Sequence, residues 1–396
     1  MTTREQSSGL SERDVDQIQH VSDVVAEATE GRLATEEMIL NVGPQHPATH
    51  GVFRLLATID GEKLVDAEPI IGYMHRGYEK LVEARDYRQI TNLVSRMDWL
   101  SGINNELPLW LVVEKMMEIE VPPRAQYLRV IMCEMNRILN HLMFFASFGA
   151  ELGAITPTFY AFREREDIQY AMEMATGGRM HFGFFRPGGL REDMPRGFFA
   201  QALKGVRQAI ERLPDYEDLL VGNEIFKQRT IGVGVLDKEV AYSYGVSGPI
   251  ARGSDIDFDV RKDEPYLVYD HFDFGVHSAP NGDCFDRFWV LLHEVVESAK
   301  IVEQAIEGIP SGPVLGKVPR VIQVPEGEAY IRTENSLGEL GMYLVSDGDR
   351  RPYRLKIRTP SYSNVSALPY VLKDTYVSDM IAILGSFFFV LGDIDR

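Results

Sequence analysis

The stretch PRAQYLRVIMCEMNRILNHLMFFASFGAEL, residues 123–152, repeats Leu128, Ile131, Met132, Met135, Ile138, Leu139 and Leu142 at three- and four-residue spacing. That period draws one apolar stripe along a helix, so the stretch predicts a long amphipathic helix that buries the stripe in a bundle. Helical periodicity dominates around it, from about Arg76 to Leu213. Further helices are expected at Asn104 to Ile119, Arg163 to Thr176, Arg196 to Arg212 and Asp286 to Ile306.

The flanks have a different period. From Glu36 to Gly72 the segments EEMILNV, FRLLATI and KLVDAEPIIG, the last two joined at Asp60-Gly61, suggest an antiparallel meander. Between the first two lies GPQHPATHG, residues 43–51, whose prolines and glycines deny it a helix and predict a tight loop at a sheet edge. Beyond the last helix, PRVIQVPEGEAYIRT, LGMYLVSDG and YRLKIRTP form a second β-rich segment. The expected fold class is α+β, a central helical bundle flanked by small antiparallel sheets. Its regions are a flexible acidic tail over 1–36, an N-terminal β region over 37–75, a helical core over 76–310, and a C-terminal β region with a buried terminal segment over 311–396.

Composition narrows the function classes. With 396 residues, 45% apolar and 25% charged, the chain can bury a substantial core. A formal charge of −18 repels phosphate backbones and anionic lipid head groups, which argues against nucleic-acid binding and against a polybasic membrane anchor. The two cysteines, Cys133 and Cys284, stand far apart in sequence, too few for a four-cysteine iron-sulfur cluster or a structural zinc site. Any electron carrier is therefore expected from elsewhere. The polar stretch from Met1 to about Arg32 lacks the apolar run of a secretory signal. The apolar run Met380 to Leu391 is about a dozen residues, short of the roughly 20 a membrane helix needs, and is expected to be buried core. A soluble protein able to sit against a membrane partner is the resulting expectation.

Three constellations could carry chemistry. His46 and His50 stand four apart in GPQHPATHG; Pro47 lies between them and no HExxH glutamate is present, which weakens a zinc reading. A histidine bonded to backbone at a turn and a histidine that donates a proton near neutral pH both stay open. The segment Met74 to Lys80 places Arg76 at a passage from strand to helix, where an ordinary ion pair is the plain reading. In Arg179 to Gly189, glycines and aromatics surround His181 and suggest close packing with a partner or cofactor.

Taken in order, GPQHPATHG, HRGYEKL, RMDWL, NRILNHL, GGRMHFGFFRPGG, GPIARGS, GDCFDRF, YLVSDGDRRPYRLKIR and LGDIDR resemble the D subunit of respiratory complex I, NADH-quinone oxidoreductase, from about Met38 to Arg396. That family in turn resembles the large subunit of nickel-iron hydrogenases without its metal site. Here Arg76-Gly77-Tyr78 and Gly392 to Arg396 stand where the two cysteine pairs would be, and neither region holds a cysteine.

The resemblance implies a quinone-binding subunit of a proton-translocating enzyme, peripheral on the cytoplasmic side of the cell membrane and inactive alone. It implies contacts with a cluster-bearing B subunit, with the C and I subunits and with the membrane-arm H subunit. Electrons would pass from a 4Fe-4S cluster on the B subunit to ubiquinone or menaquinone, and this chain alone would bind no cofactor. By motif match His50 contacts the quinone and pairs with Glu151, where the family has aspartate; a carboxylate there would raise the histidine pKa and orient its ring. His46 and Trp99 join the quinone site, and Arg76 and His181 lie beside the partner's cluster. The family has a tyrosine where Trp99 stands. An indole N–H donates a hydrogen bond but is no proton source at physiological pH. Two alternatives are the same role in a complex fed by ferredoxin or a deazaflavin, and a structural scaffold for the B subunit.

Overall fold

The computed structural model of the chain describes residues 37–45 and 49–396. The expected acidic tail and His46 lie outside the described residues. The first sheet is the antiparallel meander read from the sequence, β1 (Met38–Val42), β2 (Arg54–Asp60) and β3 (Lys63–Ile70) in the order β1-β2-β3. Strict alternation along β2 sends Leu55, Ala57 and Ile59 into the core. Gly61, at φ 60°, closes the turn to β3.

The helical centre holds α1 (Gly102–Met117), α2 (Pro123–Glu151), α3 (Thr156–Thr176), α4 (Phe198–Glu211) and α5 (Cys284–Gly308). Pro123 at the first turn of α2 loses no intrahelical bond there, and the helix runs 29 residues, about 44 Å at 1.5 Å per residue. The boundaries expected from periodicity hold within a few residues except at α3. There Pro157 sits in the first turn and the helix begins seven residues before Arg163. The apolar stripe of α2 meets α5, and Phe144, Phe145 and Phe148 pack on Phe288 with ring centroids 5.4–6.4 Å apart.

The second sheet is β4 (Gly327–Asn335), β5 (Gly338–Ser346) and β6 (Arg354–Arg358), antiparallel in that order. Residues 319–324, read with this β-rich segment, are not strand: Pro319 and Pro325 each remove a donor, and β5 ends opposite Gly327, so no partner strand extends to them. A wholly buried charge network stitches the layers together. Glu134 and Arg137 of α2, Glu294 of α5 and Glu334 of β4 are joined by Arg252, Asp259 and Arg261; Arg252 donates to Glu294 at 2.8 Å and to Glu334 at 2.9 Å. The terminal segment forms α6 (Met380–Phe387) and α7 (Leu391–Asp395), both buried as expected. Among the described residues no helix is long and apolar enough to cross a membrane.

Candidate functional site

The loop between β1 and β2 delivers His50. Thr49 fastens it by accepting the Gln45 N–H at 2.9 Å and donating to the Gln45 carbonyl at 3.0 Å. His50 sits at φ 47°, a conformation few side-chain-bearing residues adopt. Its ring leans on Phe389, centroids 4.8 Å apart, and its Nε2 lies 3.5 Å from Oε1 of Glu151.

Glu151 is the last residue of α2, and its side chain is largely buried. A Cβ on Gly385 would overlap its Oε2 and crowd the Phe148 ring, so glycine makes room for this carboxyl. That Oε2 is buried and has no hydrogen-bond partner among the described residues. Burial pushes its carboxyl up to about 8, so near neutral pH Glu151 keeps its proton. The family resemblance implies a carboxylate paired with His50 here, and burial favours its protonated form.

Trp99 sits on the turn between the short helix Tyr87–Val94 and α1, and it lines a cavity of about 240 Å³. The opposite walls are Leu139 and Met143 of α2 and one face of α3, Phe162, Arg165 and Gln169; the loop after α3 adds Arg179, Met180 and Phe182. The cavity is apolar and aromatic with a few polar groups, the usual make-up of a small-molecule site. Neither His50 nor Glu151 is among its lining residues. Chain near the terminus lies between the two places: a Cβ on Gly51 would meet Leu391 at 3.9 Å, and Gly392 packs on the Met97 carbonyl.

The loop GGRMHFGFFRPGG is held by two buried carboxylates of α1. Glu106 accepts the N–H groups of Gly183, Phe184 and Phe185 at 2.7, 2.9 and 3.1 Å. Glu114 accepts that of Gly188 at 2.7 Å and binds Arg129 through both oxygens. This fixes His181, whose Nδ1 lies 3.2 Å from the Ser95 carbonyl. Burial and then the nearby Arg96 lower its pKa, so His181 is mainly neutral near pH 7. Arg76 is exposed and stacks over its neighbour Tyr78 at 5.6 Å.

The segment leading into Arg76 meets the terminal segment Gly392 to Arg396. The Asp395 carboxylate accepts the N–H groups of Gly72 and Met74, each at 2.7 Å, and its carbonyl lies 2.6 Å from His75 Nδ1. The cleft beside them, about 510 Å³, is lined by residues of both segments, including His75, Glu79, Asp395 and Arg396. Among the described residues no three His, Cys, Asp or Glu side chains are grouped to hold a metal ion, and both cysteines are buried and unpaired.

Comparison with known proteins gives these positions a context. Residues 151–396 match the family described as the 49 kDa subunit of respiratory-chain NADH dehydrogenase. The second of the D subunits of NADH-quinone oxidoreductase from Salinispora tropica is 52% identical over 362 residues, covering 91% of this chain and 93% of that one. The corresponding D subunit from Geobacillus thermodenitrificans is 49% identical over 364 residues, 92% of this chain and all of the relative. That from Carboxydothermus hydrogenoformans is 46% identical over 363 residues. The chain belongs to this family.

For a member of the 49 kDa family, the sequence singles out Trp99 and His181 but misses two neighbours. Arg96, in the same RMDWL motif as Trp99, is the cation nearest His181 that shifts its titration. Arg165, on the cavity face of α3, carries no local signal: one arginine in FREREDIQ looks like any solvated helix charge.

Proposed function

We propose that the chain is the quinone-binding subunit of a proton-translocating NADH-quinone oxidoreductase, peripheral on the cytoplasmic side of the cell membrane and inactive alone. In this reading it forms, with a cluster-bearing B subunit, the pocket where a quinone receives electrons from a 4Fe-4S cluster held by that partner. The C, I and membrane-arm H subunits complete its surroundings. The observation that supports the reading is the buried Glu151 held against His50, with an apolar, aromatic cavity at Trp99 on the other side of the terminal segment.

Making a quinol from a quinone consumes two electrons and two protons. Glu151, protonated near neutral pH, and His50 hold a proton in a dry setting and pass it on as charge builds on the ring oxygen. Trp99 supplies aromatic wall and an N–H donor. His181, neutral when the neighbouring cluster is oxidised, takes up a proton when the cluster gains an electron.

An ordered pair of substitutions tests this in membranes carrying the assembled complex. His50→Ala removes a general acid and lowers maximal quinone turnover on the order of a hundredfold. Trp99→Phe keeps the wall and deletes one donor, worth about 0.5 to 1.5 kcal/mol, so affinity falls by roughly tenfold at most while turnover at saturation changes less. The opposite order, turnover abolished by Trp99→Phe and intact in His50→Ala, reverses the roles and defeats the mechanism.

A further inference from the structure

Two arginines line the Trp99 cavity, and their surroundings differ. Arg179 is neutralised twice, by Glu166 at 2.6 Å and Glu173 at 2.7 Å. Arg165 makes no ion pair among the described residues. One of its Nη atoms donates to the Leu139 carbonyl, and its Nε is buried with no acceptor. Of the other polar side chains of the cavity, Asn136 bridges the Ile103 N–H and the Leu100 carbonyl and Gln169 donates to the Arg179 carbonyl, which leaves the neutral Trp99 N–H as the other donor for a ligand. No carboxylate is among the lining residues.

An arginine taken out of water without a counter-anion is costly, and the cost is recovered only when something negative arrives. Burial, only partly offset by the Glu166 carboxylate outside the lining, brings the Arg165 pKa down to about 10, so the guanidinium is still charged at neutral pH and meets no carboxylate inside the cavity. A neutral ligand gains little from that charge. A ring whose oxygen has become negative gains a charge-assisted hydrogen bond in a water-poor site.

We propose that Arg165 is the anion-holding residue of the Trp99 cavity, binding the oxygen of a quinone as negative charge builds on it. The inference rests on the quinone reading above and adds to it a residue and a preference. One electron from the partner-held iron-sulfur cluster adds to the ring without breaking a bond and leaves the charge on its oxygens. The second electron and two protons then complete the quinol, and Arg165 stabilises the interval between.

The test uses the purified assembled complex and two probes of nearly equal size, 1,4-naphthoquinone and 2-hydroxy-1,4-naphthoquinone, the second an anion at neutral pH. Binding of each is measured by calorimetry, with wild type, Arg165→Met and Arg165→Lys. The wild type is expected to prefer the anion by about tenfold or more, from one charge-assisted hydrogen bond. Arg165→Met is expected to lose that preference while holding the neutral ring as before, and Arg165→Lys to keep most of it. Equal binding of both probes by the wild type overturns the inference with no variant needed, and so does a preference that survives in Arg165→Met. If the wild type binds neither ring, the quinone reading falls and the inference falls with it.

Discussion

Two glutamates of the helix Pro123–Glu151 are largely withdrawn from water, and they meet opposite fates. Burial pushes the Glu134 carboxyl up, but Arg261 and Arg137 beside it outweigh that and hold it below the ordinary carboxylate range. Among the described residues no guanidinium reaches Glu151, and burial drives it to about 8. The residue type and the helix are the same. What separates the two is whether a fixed counter-charge lies within about 4 Å, because in a low-dielectric interior that decides which protonation state survives. Compensated charges lock layers together, and a buried carboxyl without a guanidinium partner favours keeping its proton.

The strongest way to break this comparison is to make the compensated region resemble the other. Arg252→Met removes the cation shared by Glu294, Glu334 and Asp259; Asp259 keeps Arg261 and Glu294 keeps His141, but Glu334 is left with no ion pair among the described residues. Leaving buried charges unpaired costs about 3 to 5 kcal/mol, read as a lower urea midpoint for the full chain. A loss under about 1 kcal/mol shows that the network is not what joins the helical centre to the second sheet.

A somewhat smaller effect sharpens the Glu151 side. Its folded pKa lies above the unfolded value, so between about pH 5 and pH 7.5 the folded chain holds one more proton than the unfolded chain. Its contribution is fully present below the unfolded pKa and is lost as pH rises, by about 1.4 kcal/mol per unit, roughly 3 kcal/mol over the window. Glu151→Gln cannot titrate and should flatten that part of the stability–pH curve. Parallel curves for wild type and variant mean that Glu151 is ionised throughout and that the comparison with Glu134 fails.

The smallest expected effect concerns the exposed His181, between the cavity-lining Met180 and Phe182. Its Nδ1 is engaged by the Ser95 carbonyl and its titration is held low, so a change in charge nearby is what brings a proton to it. If His181 adjoins the partner-held cluster as proposed, His181→Met should reduce the pH dependence of that cluster's midpoint potential, from a slope of at most about 59 mV per unit, with quinone turnover largely kept. An unchanged slope in the assembled complex removes His181 from that role.

Much of this architecture could be read from the chain alone. Three- and four-residue periodicity fixes the long helices, alternation fixes the two meanders, and Gly61 and Pro123 mark where elements turn or start. These signals are local, since each depends on residues a few positions apart, and the prolines at 319 and 325 show the limit: apolar residues between them look like strand until a pairing partner is required. The ordered motifs likewise point to His50, Trp99 and His181 and to the pairing of His50 with Glu151. Only the folded chain could decide the protonation of Glu151, because its pocket is made by Gly385, more than 230 positions away. The same holds for the isolation of Arg165 against the doubly paired Arg179. Charge state and unmet hydrogen-bonding capacity belong to a residue's surroundings and not to its identity, so distant contacts set them and no local pattern in the sequence encodes them.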